Sequence, residues 1–252
     1  MYAHPNPVRD QRADRRYFEE LIRANREAVE VGRSDAADDE GLRDEDPDLY
    51  AHLLHIYRTA AFTVTNASYS IGDPLSTITE YAVELIRAET IFRRYESLLP
   101  DGATFASHPA DYVGPLQVLS LARLLEIDSG VDELIAATGS QGMDSIYDFL
   151  ARPDRVESRV GSSVVWPKPY ASLLEYLRDP ASPGPMQQFL NHWYNQNRRG
   201  ITWGSHLTIA EGDRRYSGYW CFEAAAVVKL LQADDSSYRD NAYYPGELLM
   251  RE

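Results

Sequence analysis

Residues 73–95 read DPLSTITEYAVELIRAETIFRRY, and this run establishes the fold class. Its apolar side chains recur every three or four positions, the spacing of one face of an α-helix. They are Ile78, Tyr81, Ala82, Leu85, Ile86, Phe92 and Tyr95. Pro74 suits the first turn of a helix, where its missing amide hydrogen is not needed, and the turn-forming residues 99–102 end the pattern. The sequence therefore predicts a long amphipathic helix.

The same period continues through most of the chain. It predicts further helices over residues 14–31, 48–69, 114–127, 131–138, 144–151, 169–177, 185–197 and 218–231. No convincing run alternates at the period of two that a half-buried strand shows, and residues 160–166 are interpreted as a loop. We therefore predict an all-α protein built as an antiparallel helical bundle.

A weak internal repeat indicates how the helices are grouped. Tyr112 and Gly114 precede one apolar helix, and Tyr216 and Gly218 precede another with the same spacing. The last predicted helix is apolar almost all round, which is typical of a helix at the centre of a bundle. We expect two helical layers or subdomains, an N-terminal domain over residues 1–100 and a C-terminal domain over residues 101–252.

The charge and the cysteine content exclude several classes of protein. The chain has 25 Lys and Arg against 39 Asp and Glu, a net charge of −14. Nucleic-acid binders obtain much of their affinity by neutralising phosphates, so we expect neither nucleic acid nor an anionic membrane as partner. The one cysteine, Cys221, excludes an internal disulfide and a Cys-rich zinc site. With no leader-like segment and no long uncharged apolar run, the expected compartment is the cytoplasm.

An acidic segment over residues 35–48 stands apart from the rest. It holds eight carboxylates and only one basic residue, Arg43. Like charges repel one another within a Debye length of about 8 Å, so we expect an extended connection between the first two helices. It is either a solubilising loop or a surface that attracts a basic partner.

Few residues suggest catalysis or metal binding. His52 and His55 share one helical face, but two histidines without further ligands do not make a metal site, and we predict neither metal nor cofactor. Glu223 lies in the most apolar helix, where an unpaired carboxylate would be costly. It is either an acid or base acting with His206, or a structural tie between the helix and its loops through His206 or Arg239. We favour the structural interpretation and predict no catalytic residue.

Motifs spread along the chain resemble PoNi-type immunity proteins of polymorphic-toxin systems, which include toxins delivered by type VI secretion. The resemblance begins at Arg9-Asp10, Tyr17-Phe18 and Ile22, and it continues through Lys168-Pro169-Tyr170, Leu173-Leu174, Trp193-Tyr194, Trp203 and His206. It is strongest over residues 216–226, and it continues at 234–240 and 243–245. The departures are Asn241, where many members have histidine, and the unusually acidic link.

The resemblance implies an all-helical protein without activity of its own, which binds and neutralises a co-encoded toxin. That toxin is typically a DNase of the restriction-endonuclease-like kind, and a basic nuclease domain suits an acidic inhibitor. The motif residues to which we assign a structural role are Tyr216, Gly218, Tyr219, Trp220, Phe222, Glu223, Arg239, Tyr244 and Pro245.

We predict that exposed acids bind the toxin. The candidates are Asp38, Asp39, Glu40, Asp44, Glu45 and Asp46, with Asp234 and Asp235 as a second patch. They would either stand in for phosphate at the active site or clamp the toxin elsewhere. The alternatives are a helical enzyme using Glu223 and His206, and a helical adaptor with several partners.

Overall fold

The structure is a computed structural model that describes residues 7–35, 40–97, 107–154, 163–198 and 204–249. The side chains of residues 35 and 40–42 are outside this description. The α-helices are α1 (Arg15–Asp35), α2 (Glu40–Glu45), α3 (Pro47–Ile71), α4 (Leu75–Glu96), α5 (Pro109–Leu124), α6 (Val131–Thr138), α7 (Ser145–Ala151), α8 (Pro167–Arg178), α9 (Gly184–Asn197) and α10 (Phe222–Leu231). Two short 3-10 helices span Ser205–Glu211 and Gly246–Leu249. The described ranges contain no β-strand, and the predicted all-α class is confirmed.

The chain divides into two compact units. Unit 1 comprises Met1–Glu96 and Gly204–Gly218, and unit 2 comprises Ser97–Trp203 and Tyr219–Glu252. A segment that is distant in sequence thus folds together with the N-terminal helices.

Unit 1 is organised around α3, against which both α1 and α4 pack. The carboxylate of Asp46 begins α3 by accepting a hydrogen bond of 3.0 Å from the Leu49 amide, as helix N-caps do. Gly72 ends the helix with φ 90°, a conformation that favours glycine. At Gly32 of α1, an added Cβ would lie 2.6 Å from the Cβ of Tyr57, so this close approach of α1 to α3 requires glycine.

Part of the acidic link is helical, which the sequence did not predict. Residues Glu40–Glu45 form the short helix α2 where we expected an extended connection. Arg43 pairs with Asp44 at 3.1 Å, and Asp44, Glu45 and Asp46 are exposed, so pairing and hydration reduce the repulsion that motivated the prediction. Asp38 and Asp39 lie outside the described residues, as does the predicted turn at 99–102.

In unit 2, α10 packs against α5, and α8 packs against α9. Residues 222–228 of α10 are all buried, which agrees with their apolar sequence. The helix begins at Phe222, four residues later than predicted, because the Cys221 amide donates to the Tyr243 carbonyl at 2.8 Å and Gly218 has φ 124°. Along the described part of the chain, no helix has both the length and the apolarity needed to cross a bilayer.

Candidate functional site

The first candidate surface is the acidic start of α3 in unit 1. The side chains of Asp44, Glu45, Asp46 and Asp48 are exposed. Asp46 also caps α3, so a partner would meet its carboxylate in a fixed position. Glu40 lies in α2, but its side chain is outside the described residues. The structure therefore presents part of the predicted acidic patch to solvent.

The second predicted patch consists of two adjacent residues in different environments. Asp234 is exposed, and hydrogen bonds from the Ser236 hydroxyl and amide lower the pKa of its carboxyl, which keeps it ionised. Asp235 is only 2% exposed, and its Oδ1 accepts a hydrogen bond of 2.9 Å from Arg239 Nε. Only Asp234 is placed where a partner could reach it, because the carboxylate of Asp235 is buried and pairs with the exposed Arg239 within unit 2.

Glu223 forms the polar centre of unit 2. Its side chain is fully buried, and its Oε1 accepts hydrogen bonds from the Tyr170 hydroxyl at 2.9 Å and from Trp193 Nε1 at 2.6 Å. Burial raises the pKa of this carboxyl, while the bonds from Trp193 and Tyr170 act in the opposite direction. The residue ties α10 to α8 and α9, which supports the structural interpretation.

One of the two partners predicted for Glu223, Arg239, is wrong. Arg239 pairs with Asp235 instead, and His206 belongs to unit 1, where its ring lies 5.6 Å from the ring of Tyr216. The motifs of the resemblance did contain the true partners, Tyr170 and Trp193. A buried tyrosine hydroxyl or indole N–H usually finds a hydrogen-bond partner. Nothing in the spacing indicated that they face α10.

Aromatic rings surround this carboxyl. The ring centroids of Tyr112 and Tyr170 are 4.9 Å apart in an edge-to-face arrangement, and Phe189 lies 5.5 Å from Tyr170. Trp193 lies 5.7 Å from Tyr243. A substrate could reach Glu223 only if this aromatic packing opened.

Tyr216 and Gly218 form hydrogen bonds with other residues of unit 1. The Tyr216 hydroxyl donates to Oδ2 of the buried Asp10 at 2.5 Å, and the Tyr216 amide donates to the Tyr17 hydroxyl at 3.1 Å. The Gly218 carbonyl accepts from Asn66 Nδ2 at 3.0 Å. Two motifs of the resemblance, one at each end of the sequence, therefore meet in unit 1.

The remaining motif residues are packing elements of unit 2. Tyr219 lies against Tyr194 at 4.9 Å, and the Trp220 carbonyl accepts from Gln117 at 3.4 Å. Tyr244 packs edge-on against Tyr238 at 5.4 Å. Phe222, Tyr244 and Pro245 are buried.

Potential metal ligands do not cluster in the described part of the chain. His52 and His55 are exposed on α3, and the His55 ring packs edge-on against Phe92 at 6.0 Å. The ring of His55 is nevertheless partly desolvated, which lowers its pKa, and the charge of Arg58 adds to this shift. Within the described ranges no three His, Cys, Asp or Glu residues are grouped as a metal site requires.

Comparison with known proteins agrees with the resemblance in the second half of the chain. Residues 142–248 match the family model of PoNe immunity proteins (PoNi), C-terminal. No curated protein matches the chain significantly. A solved structure, the crystal structure of protein PA2201 from Pseudomonas aeruginosa, is similar with a TM-score of 0.68 and 17% identity, covering 96% of this chain and 89% of that one. At this identity the likeness concerns the fold alone.

The match to the family model confirms the resemblance to the PoNi family over residues 142–248, which correspond to the C-terminal domain of these immunity proteins.

Proposed function

We propose that this chain is an immunity protein that neutralises a cognate antibacterial toxin by forming a stoichiometric complex with it. The observation that carries the proposal is the match of residues 142–248 to a family of immunity proteins. The toxin is a nuclease, in keeping with the DNases that the resemblance implies, and the chain acts in the cytoplasm of a cell exposed to it through type VI secretion.

The charge of the chain supports a basic partner. A nuclease presents cations to the phosphates of its substrate, and this chain carries a net charge of −14. Complementary charge accelerates association and favours the right partner, and rapid capture is what protection from a toxin requires. Asp44, Glu45 and Asp46 are exposed and available for this role, and we extend it to Asp38, Asp39 and Glu40 of the same link and to Asp234.

The environment of Glu223 supports inhibition by binding over catalysis. Its carboxyl is fully buried and held by two neutral donors, Tyr170 and Trp193. A catalytic acid or base must lie within reach of a substrate. The geometry at Glu223 fits a residue that organises the helices of unit 2.

The test is a binding and protection experiment with the toxin domain encoded beside this chain. We expect calorimetry to give a one-to-one complex, and we expect a molar equivalent of the chain to stop DNA cleavage by the toxin. Hen lysozyme, an unrelated basic protein, is the control for non-specific charge attraction. Equal binding of lysozyme and the toxin, or undiminished cleavage in the presence of excess chain, would contradict the proposal.

A further inference from the structure

Two exposed apolar side chains form a stripe on α3. Leu49 is 43% exposed and Ile56 is 39% exposed. They are seven residues apart, so they lie on the same face of the helix, two turns and about 10 Å from each other. Single exposed apolar residues are common, but apolar residues that adjoin one another on one surface mark a contact site for another molecule.

The contacts of α3 show which way this stripe faces. Tyr57 is buried against Gly32 of α1, and Arg58 turns toward α4, where it pairs with Glu89 at 3.7 Å. Successive residues of a helix are about 100° apart. Ile56 therefore lies on the side of α3 opposite Arg58 and away from α4, and Leu49 shares its face.

The neighbouring helix α1 adds to the same side. Arg15 Nη2 donates to the Ile71 carbonyl at 3.1 Å, and Gly32 meets Tyr57, so α1 runs antiparallel to α3. Arg33 turns toward α4, where it pairs with Glu84 at 2.9 Å. Val31, 49% exposed, is about 200° from Arg33 around the helix, and it faces away from α4 as Ile56 does.

Acidic side chains border this apolar stripe at the start of α3. Asp44, Glu45, Asp46 and Asp48 are exposed within a few residues of Leu49. The surface thus has an apolar centre and a charged edge, the composition of many protein interfaces. A second copy of the chain would bring the same negative edge and the same net charge of −14, and a nucleic acid would also be repelled. The charge selects a basic protein.

We propose that the face formed by Val31, Leu49 and Ile56, with the acids at 44–48 along its edge, is where the toxin docks. This inference rests on the proposed function and adds the surface to it. A basic surface of the toxin binds here, and one of its apolar side chains packs between α1 and α3. The apolar contact holds the complex together, and the acidic edge governs the rate of association.

The test measures the affinity of the purified toxin domain for Ile56→Arg and Leu49→Arg variants. An arginine on this face introduces a positive charge against a basic partner and removes the apolar contact, so we expect the dissociation constant to rise about thirtyfold or more, as at interface hot spots. Met143→Arg is the matched control, because Met143 is an apolar residue of unit 2 with 44% exposure, and we expect it to bind as the unchanged chain does. Thermal unfolding checks that all three variants remain folded.

A second pair of variants tests the acidic edge. Asp44→Asn with Glu45→Gln should lower the association rate severalfold and flatten its dependence on salt. The control is Glu175→Gln with Asp179→Asn, which removes the same charge from exposed positions of unit 2 and should change the rate much less.

The outcomes separate this inference from the proposed function. If the unchanged chain binds the toxin and Ile56→Arg binds equally well, the docking face is wrong while the immunity function stands. If the unchanged chain does not bind the toxin, both fall. Self-association that Ile56→Arg abolishes, with toxin binding intact, would assign the face to a second copy and overturn the proposal.

Discussion

Two glutamates, one in each unit, show how the same side chain is accommodated in different ways. Glu84 of unit 1 and Glu223 of unit 2 each accept a hydrogen bond from a tyrosine hydroxyl, Tyr57 and Tyr170 respectively. The further donor differs, since Glu84 pairs with Arg33 and Glu223 accepts from the neutral indole of Trp193. The two carboxyls therefore differ in two ways, in the presence of a cation and in the extent of burial.

The pKa values of the two carboxyls move in opposite directions. Burial would raise the pKa of Glu84, but the hydrogen bonds from Arg33 and Tyr57 together with the charge of Arg33 outweigh it and lower the value. For Glu223, burial prevails and the pKa is raised. A cation keeps a half-buried acid ionised, whereas neutral donors alone do not offset complete desolvation.

The indole donor of Glu223 can be removed by Trp193→Phe. This change deletes one of the two bonds to Oε1 and leaves space where the larger ring was fully buried. We expect a loss of about 2–4 kcal/mol in the free energy of unfolding, from the cavity and the lost bond together. Urea denaturation measures it.

Tyr194→Phe is the control for Trp193→Phe, since it alters a neighbouring aromatic of α9 without touching Glu223. Its effect should be clearly smaller. Equal losses for the two variants would mean that the bond to Glu223 contributes little and that general packing holds α9 in place.

The pH dependence of stability tests the state of Glu223 itself. Because its pKa is raised in the folded state, the folded protein holds a proton that the unfolded chain releases near its ordinary pKa. Glu223 therefore makes its complete contribution to the free energy of unfolding below the pKa of the unfolded chain. That contribution falls as the pH rises toward the folded-state pKa, by up to about 1.4 kcal/mol per pH unit. Glu223→Gln, which is neutral at every pH, should flatten this decline.

Urea denaturation of the parent and Glu223→Gln proteins between pH 4.5 and 8 measures the difference. Burial also raises the pKa of Asp144, so the free energy of unfolding of both proteins declines further with pH for this reason. The effect of Glu223 is therefore the difference between the two slopes of the free energy of unfolding against pH. Parallel slopes would show that Glu223 ionises in the folded protein as readily as in the unfolded chain.

The local helices of this chain follow from its sequence pattern, whereas the contacts between distant segments do not. Helical periodicity predicted the fold class, and it located α6 at the residues where the structure has it. It failed where long-range contacts decide the local structure. The Cys221 amide bonds to Tyr243 and delays the start of α10, and Tyr216 reaches back to Asp10 near the N-terminus.

In the candidate site, too, the sequence predicts local features but not the contacts between distant segments. The sequence identified Glu223 as a buried carboxylate from its apolar neighbours alone, and burial at 0% exposure agrees. Its donors, Tyr170 and Trp193, lie on other helices, and no spacing rule connects them. The stripe at Leu49 and Ile56 was likewise missed, because periodicity assigns regularly spaced apolar residues to the core, and only the packed structure distinguishes the uncovered ones.

The smallest effect concerns the cation beside Glu84. Arg33→Met removes the cation from this carboxyl while keeping the aliphatic part of the side chain, and the pair is partly exposed, so we expect a loss of about 1 kcal/mol or less at pH 7. The folded-state pKa of Glu84 is lowered, so its contribution is complete above the ordinary pKa of a glutamate and disappears as the pH falls through the folded-state value. The difference in the free energy of unfolding between Arg33→Met and the parent should therefore become smaller from pH 7 to pH 3.5, as measured by urea denaturation.

Arg16→Met is the control, because it breaks the well-exposed pair with Glu20. It should leave the free energy of unfolding nearly unchanged at either pH. A gap at Arg33 that stays constant with pH would mean that the arginine stabilises unit 1 by packing alone, and the contrast with Glu223 would then rest on burial rather than on charge.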